Sequence, residues 1–125
     1  MAEILIIDDD AQMRRLLTRM LKSVGHLVHE ATNGAIGLKR FREVRPALVV
    51  TDIFMPEKEG IETIRLLRQE APDLPILAIS GSGLKDYLKF ATQLGATAAL
   101  PKPFSAQQLL ATVARLIEGA TVPPA

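Results

Sequence analysis

Short apolar runs alternate with longer stretches of helical periodicity along the chain. The runs predict five strands, at 3–7, 27–31, 47–51, 75–79 and 96–100. Between and after them, apolar residues recur every three or four positions, which predicts helices at 11–24, 34–44, 60–70, 84–94 and 105–117. Strands that alternate with helices predict βαβ units, and therefore an α/β fold with a parallel sheet and helices on both faces.

The apolar runs differ in strength, which indicates where each strand lies in the sheet. The first, third and fourth runs are almost entirely apolar, as is typical of central parallel strands covered on both sides. The second and fifth runs are weaker, and Pro101 at the end of the fifth is tolerable on an edge strand. We expect one domain over 1–119, with residues 120–125 as a tail or the start of a linker.

Composition narrows the class of protein further. The chain has 125 residues, no cysteine and a formal net charge of +1. It therefore has no disulfide framework or thiolate metal site, and its charge does not point to nucleic acid or an anionic membrane as a direct partner. Its first residues have no basic segment, and the apolar run that follows is too short for an export signal. We expect a cytoplasmic protein.

Candidate chemistry lies at the carboxyl ends of the predicted strands. The residues that follow strands one, three, four and five are Asp8, Asp9 and Asp10, then Asp52, then Ser80, then Lys102. In an open parallel sheet, ligands bind outside these strand ends at a topological switch point. If strands one and three are neighbours, Asp8, Asp9 and Asp52 converge.

Converging carboxylates need a positive partner. Two of them about 4 Å apart repel by about 4 kcal/mol at an effective dielectric constant near 20. Oxygen donors without histidine or cysteine favour a hard cation, and a site with room for water suits Mg²⁺ better than a calcium cage. Lys102 is a second, fixed positive charge that reaches in from the fifth strand.

Each of these signals also has a structural interpretation. An acidic pair before a helix is typical of N-capping, and we expect Asp10 to cap the first helix. A strand-end aspartate is common in turns, Ser-Gly is common in loops, and Lys-Pro is common in solvated turns. Their joint placement at the ends of alternating strands is what favours a functional site.

Four motifs together carry a resemblance to a known family. They are ILIIDDD (4–10), VVTDIFMP (49–56) with Gly60, AISG (78–81) and PKPF (101–104). With these motifs at their usual spacing over residues 3–118, the chain resembles the receiver domain of two-component response regulators. The resemblance implies the doubly wound, flavodoxin-like strand order 2-1-3-4-5 that chemotaxis receivers share. It also implies a phosphorylation-activated signalling switch.

The resemblance implies roles for individual residues. Asp52 matches the phosphoacceptor, which takes a phosphoryl group from a histidine kinase or a histidine phosphotransfer protein. Asp9, Asp52 and the backbone carbonyl of Phe54 match the ligands of Mg²⁺ (or Mn²⁺), with Asp8 acting through water. Lys102 matches the lysine that pairs with the acceptor. The remaining matches are Ser80 and Gly81 as phosphoryl contacts, and Ala11, Met13 and Arg14 as a kinase-docking face.

One departure from the family pattern concerns the switch. The family often has an aromatic residue three positions before the lysine, and here that position is Ala99. We hypothesise that output through the fourth predicted helix, the fifth strand and the last helix uses backbone shifts alone, or that Tyr87 or Phe90 takes the aromatic role. The alternative is that Ala99 is only a small packing residue. The last helix is poor in the acidic residues that pair across family dimers, which favours a monomer or a weak dimer.

Three functions are consistent with the predicted fold and are considered in turn. The first is the phosphorylation-dependent switch, which has no separate substrate but catalyses phosphotransfer to its own aspartate and the dephosphorylation of that residue. The second is a phosphorylation-independent interaction module of the same fold, although such modules typically lose residues that this chain keeps. The third is a flavin-binding electron carrier, which the acidic DDDAQM segment after strand one and an aromatic content of 4% both disfavour.

Overall fold

The structure, a computed structural model, describes residues 2–53, 59–80, 92–93 and 95–119. The strands are β1 (Glu3–Ile7), β2 (Leu27–Ala31), β3 (Leu48–Asp52), β4 (Ile76–Ser80) and β5 (Ala98–Pro101). The helices are α1 (Ala11–Ser23), α2 (Gly34–Val44), α3 (Glu59–Glu70) and the C-terminal helix (Ala106–Ile117). The predicted helix at 84–94, except residues 92–93, and the tail at 120–125 lie outside the described residues.

All five strands form one parallel sheet in the order β2-β1-β3-β4-β5. This confirms the fold class and the strand order that the family resemblance implies, and it places Pro101 on an edge strand. β3 and β4 each begin and end one residue later than the apolar runs predict, so Asp52 and Ser80 are the last residues of their strands. One reason is that the Ile53 amide still donates to the Ile79 carbonyl, at 3.0 Å, beyond the apolar run.

The sheet separates two apolar layers. On one face, α2 and α3 contribute Phe41, Ile64 and Leu67 to a cluster with strand residues that include Leu5 and Val49. The opposite face is covered by α1 and the C-terminal helix, whose buried residues are Leu17, Leu21, Leu109, Val113 and Leu116. Because the central strands are buried on both faces, their ends are held firmly.

Side-chain caps fix where three helices begin. Asp10, as predicted, accepts from the Gln12 amide before α1, and Asn33 accepts from the Ile36 amide before α2. Ser105 and Gln108 form a capping box before the C-terminal helix. Each cap satisfies a backbone N–H that would otherwise have no partner in the first turn. None of the described helices is long and apolar enough to cross a membrane.

Arg68 ties the end of α3 to the approach to β5. Its guanidinium donates to the carbonyl of Gly95 through Nη2 at 2.7 Å and Nε at 3.0 Å, and to the carbonyls of Ala71 and Pro72. Burial lowers the pKa of Arg68 from its ordinary value. Arg68 thus donates the hydrogen bonds that water would otherwise donate to three loop carbonyls beyond the last turn of the helix.

Candidate functional site

Three carboxylates converge at the carboxyl edge of the sheet. β1 and β3 pair in a register that sets Ile7 beside Thr51, so the residues that follow them, Asp8 and Asp52, are also neighbours. One oxygen from each of Asp8, Asp9 and Asp52 lies within 4.8 Å of the others. The convergence expected from the sequence is therefore present in the fold.

Two of these carboxylates are buried. Asp8 is 1% exposed and Asp52 is 6% exposed, whereas Asp9 faces solvent. The pKa of Asp8 is raised from 3.8 to about 6, mainly because the carboxyl group is buried. The negative charges of Asp52 and Asp9 also raise this pKa, whereas the hydrogen bond from the Asp10 amide and the charge of Lys102 lower it. The cluster therefore favours a bound cation or a proton.

Lys102 supplies the positive charge nearest to Asp52 among the described ion pairs. Its Nζ lies 3.4 Å from Oδ2 of Asp52. The Lys102 amide donates to the Ser80 carbonyl at 2.7 Å, which continues the β4–β5 ladder past Pro101 and brings the lysine to the site. The Lys102–Pro103 peptide bond is cis. Asp52 thus has the lysine partner that the sequence predicts.

Ser80 lies at the end of β4, in the next strand along from Asp52. The residue is fully buried, and its hydroxyl has no hydrogen-bond partner among the described residues. An unsatisfied buried hydroxyl costs about 1–3 kcal/mol, so it is most stable when a ligand atom completes its hydrogen bonding. The hydroxyl, the lysine and the acidic cluster are all at one edge of the sheet.

The start of α3 packs directly on the backbone of the strand that carries Asp52. A Cβ built on Gly60 would overlap the Asp52 carbonyl oxygen and would lie 2.6 Å from the Ile53 Cα. Only glycine allows this approach of helix to strand. Gly60, whose motif gives no sign of this packing, thus lets α3 lie against the backbone of the candidate acceptor.

The other predicted residues divide into two groups. Phe54 and Gly81 lie outside the described residues. Ala11, Met13 and Arg14 lie in the first turn of α1, where Met13 packs against the apolar cluster under the helix. The Arg14 guanidinium turns back to the carbonyl of Asp8, a contact that sequence reasoning missed because no periodic pattern marks it.

The donor set fits a hard divalent cation. The three carboxylates offer only oxygen ligands, which suit Mg²⁺ or Mn²⁺ rather than softer metals. Asp8 is buried and has a raised pKa, so a cation that neutralises the cluster removes an electrostatic cost already present in the fold.

Comparison with known proteins decides the family. The model of the response regulator receiver domain matches residues 4–114. The chain belongs to this family. The receiver is 36% identical over 118 residues to the response regulator MprA of Mycolicibacterium vanbaalenii, covering 94% of this chain and 51% of that protein. It is 32% identical to the DNA-binding transcriptional regulator NtrC of Azospirillum brasilense, covering 99% of this chain and 26% of that protein.

Solved receiver structures agree with the fold. The crystal structure of a response regulator receiver domain protein from Clostridium thermocellum superposes with a TM-score of 0.89 at 29% identity, covering 95% of this chain and 96% of that one. The chain spans about half the length of the MprA relative, 51%. As a receiver domain, it is a signalling protein of two-component systems.

Proposed function

We propose that this receiver is a switch that is activated by phosphorylation of Asp52. The observation that carries the proposal is the position of Asp52: the residue is 6% exposed, and its carboxylate pairs with Lys102 and clusters with those of Asp8 and Asp9. The buried hydroxyl of Ser80 in the neighbouring strand, which has no hydrogen-bond partner in the described part of the chain, supports a phosphoryl group as the ligand. A buried acceptor with fixed positive charge beside it is suited to phosphoryl transfer, which depends mainly on positioning and charge stabilisation.

The transfer step uses Asp52 as the nucleophile. A carboxylate oxygen attacks the phosphorus of a phosphohistidine on a kinase or phosphotransfer protein; the O–P bond forms as the N–P bond breaks, and the bonding electron pair returns to the imidazole nitrogen. Lys102, now 3.4 Å from the carboxylate, is placed to move onto a phosphoryl oxygen. The chain thereby catalyses its own phosphorylation and has no separate substrate.

A divalent cation completes the proposed site. Asp9, Asp52 and the backbone carbonyl of Phe54 would hold Mg²⁺ or Mn²⁺, with Asp8 acting through water. A bound cation of this kind neutralises charge that builds on the phosphoryl oxygens during transfer. The role of Asp8 in the proposal is to orient that water and to add negative charge from a buried position.

The switch follows from the added charge. Phosphorylation changes the charge at Asp52 from −1 to about −2 and adds three acceptor oxygens. Ser80, with the Gly81 amide, would bind these oxygens and shift the surface formed by residues 84–94, β5 and the C-terminal helix. Because Ala99 on β5 has no aromatic ring to turn inward, we expect backbone movement to carry the signal.

The proposed partners are a histidine kinase or a histidine phosphotransfer protein, which would dock on the face of α1 that includes Ala11, Met13 and Arg14. We place the reaction in the cytoplasm and expect a monomer or a weak dimer, with no direct contact to nucleic acid or membrane. The output partner would recognise the surface described above.

Intact mass measurement tests the proposal. The chain is incubated with acetyl phosphate, with and without Mg²⁺, beside an Asp52→Asn variant. We expect a Mg²⁺-dependent gain of one phosphoryl group in the wild type only. No gain under any condition would favour the alternative, a phosphorylation-independent interaction module of the same fold.

A further inference from the structure

The Arg14 side chain folds back against the protein, and part of it stays exposed on α1. Its Nη1 donates to the backbone carbonyl of Asp8 at 2.8 Å, and its Nε lies 3.3 Å from Oε1 of Glu30 on β2. The Arg14 side chain is 16% exposed. One guanidinium therefore joins three elements: α1, the segment after β1 and the end of β2.

The contacts of Arg14 belong to a wider set that fixes Asp8. The Asp8 amide donates to the Ala31 carbonyl at 3.1 Å, and Oδ1 of Asp8 accepts from the Asp10 amide at 2.9 Å. With Arg14 on the carbonyl, the Asp8 N–H, C=O and one carboxylate oxygen each have a partner. The orientation of the Asp8 carboxylate thus depends on backbone contacts on both sides.

We propose that Arg14, oriented by Glu30, is a positioning residue for the cation site. By holding the Asp8 carbonyl, it keeps the Asp8 and Asp9 carboxylates at the distance from Asp52 that a divalent cation requires. This inference rests on the proposed function, since it assumes that the acidic cluster binds Mg²⁺. Groups that orient metal ligands in this way typically change metal affinity about 10–100-fold when they are removed.

The geometry separates positioning from a simple charge effect. Arg14 donates to a main-chain carbonyl and pairs with Glu30. A positive charge near the cluster would by itself oppose cation binding, so removal of charge alone would strengthen binding, whereas loss of positioning weakens it. A lysine at position 14 would keep the positive charge. It has no planar guanidinium, so it could not bind the Asp8 carbonyl and the Glu30 carboxylate at the same time in a fixed geometry.

Mg²⁺ titration by isothermal calorimetry tests this role. The proteins are the wild type, Arg14→Met, Arg14→Lys, Glu30→Gln and, as a matched control, Arg15→Met, which removes the same charge from the exposed neighbouring residue. We expect the Mg²⁺ dissociation constant to rise at least about tenfold in Arg14→Met and less in Arg14→Lys and Glu30→Gln. Arg15→Met should stay within about twofold of the wild type, because no described contact joins Arg15 to residues 8–10.

A second measurement distinguishes positioning from loss of folding. Urea unfolding in EDTA gives the stability of each variant without metal, and only variants that are folded at the titration temperature are compared. If Arg14→Met does not fold, Arg14→Lys and Glu30→Gln carry the test. The double variant Arg14→Met/Glu30→Gln should bind Mg²⁺ no more weakly than Arg14→Met, because Glu30 acts through Arg14.

The outcomes separate the two proposals. If the wild type binds Mg²⁺ and both Arg14 variants bind it equally well, the positioning role is wrong while the proposed function stands. If Arg15→Met weakens binding as much as Arg14→Met, the contacts of Arg14 are not the cause of the loss and the positioning role is wrong. If the wild type does not bind Mg²⁺, the proposed function fails and this inference fails with it. Acetyl phosphate, which needs no docking on α1, is the donor for any accompanying rate measurement.

Discussion

At the scale of single residues, the buried carboxylate of Asp8 has the clearest energetic consequence. Asp8 is 1% exposed and close to two other acidic groups, so its negative charge destabilises the metal-free fold. We expect Asp8→Asn to raise the free energy of unfolding in EDTA by about 1–2 kcal/mol at neutral pH. The asparagine oxygen can still accept from the Asp10 amide. Urea unfolding measures this change, and a loss of stability would contradict it.

The same residue predicts a pH dependence. Folding raises the pKa of Asp8 from 3.8 to about 6, so the protonated form is favoured in the folded state. Its stabilising contribution is complete below pH 3.8 and is lost as the pH rises through about 6. The stability advantage of Asp8→Asn in EDTA should therefore grow over this range and then level off. An advantage that is constant from pH 4 to pH 7 would show that Asp8 does not titrate in this way.

Gly60 predicts a steric effect at the acceptor. A Cβ at position 60 would overlap the Asp52 carbonyl and crowd the backbone of Ile53. Backbone atoms of a packed strand move less easily than a side chain, so the clash is not readily relieved. We expect Gly60→Ala to cost about 1–3 kcal/mol and to slow phosphorylation by acetyl phosphate. Gly37→Ala is the control, since the three atoms nearest to its added Cβ all belong to the side chain of Ile7 and not to the backbone. The rates are compared under conditions in which the same fraction of each variant is folded. Equal phosphorylation rates in Gly60→Ala and Gly37→Ala would then show that Gly60 has no specific effect on the acceptor.

At the scale of elements, Arg68 links α3 to β5 through loop carbonyls. Arg68→Met removes the donor for Gly95, Ala71 and Pro72, and we expect it to cost about 2–3 kcal/mol of stability. Arg65→Met, in the same helix, breaks an exposed pair with Glu62, its one ion pair among the described residues, and should change stability by less than about 0.5 kcal/mol. Chemical denaturation measures the free energy of unfolding of both variants. Similar losses of stability would mean that water replaces Arg68 as the hydrogen-bond donor to the loop carbonyls.

Elements were the part of the fold that the sequence predicted best. The apolar periodicity predicts the described strands and helices, because the spacing of apolar residues along the chain depends on which faces of each element are buried. The ends of β3 and β4 shift by one residue, since the ladder between Ile53 and Ile79 extends past the apolar run. The strand order came from the family resemblance, because periodicity alone does not specify which strands are neighbours.

The candidate site was predictable only where its chemistry lies at strand ends. Asp8, Asp9 and Asp52 converge and Lys102 pairs with Asp52 as expected, because parallel strands bring their carboxyl ends to one edge. Ser80 ends the strand next to that of Asp52. The contact of Arg14 with the Asp8 carbonyl was not predicted, since a side chain that binds a distant backbone leaves no periodic signal. The close packing of Gly60 was missed for the same reason: it depends on how α3 approaches β3.

At the scale of the whole molecule, the two edges of the sheet differ in chemistry. The carboxyl edge holds the acidic cluster and the lysine. In the described part of the chain, the amino edge includes open clefts of about 400 and 440 Å³, which share Pro72, Asp73, Leu74 and Pro75. We infer that cation binding is local to the carboxyl edge, because the rigid central strands separate it from the amino edge.

Amide chemical shifts measure how far the effect of Mg²⁺ extends. A titration should shift the signals of Asp9, Ile53 and Lys102, while those of Leu74 and Ala47 at the amino edge stay near their metal-free positions. The Asp52→Asn variant serves as the reference with a weakened site. Shifts of similar size at both edges would show that the cation acts on the sheet as a whole.

The position of Pro101 has a further consequence for how this protein behaves at high concentration. β5 is an edge strand of only four residues, and its last residue has no N–H to donate to another chain. A short edge that ends in proline is a poor template for strand addition. The sheet can therefore carry three strongly apolar parallel strands, β1, β3 and β4, while its β5 side resists edge-to-edge aggregation.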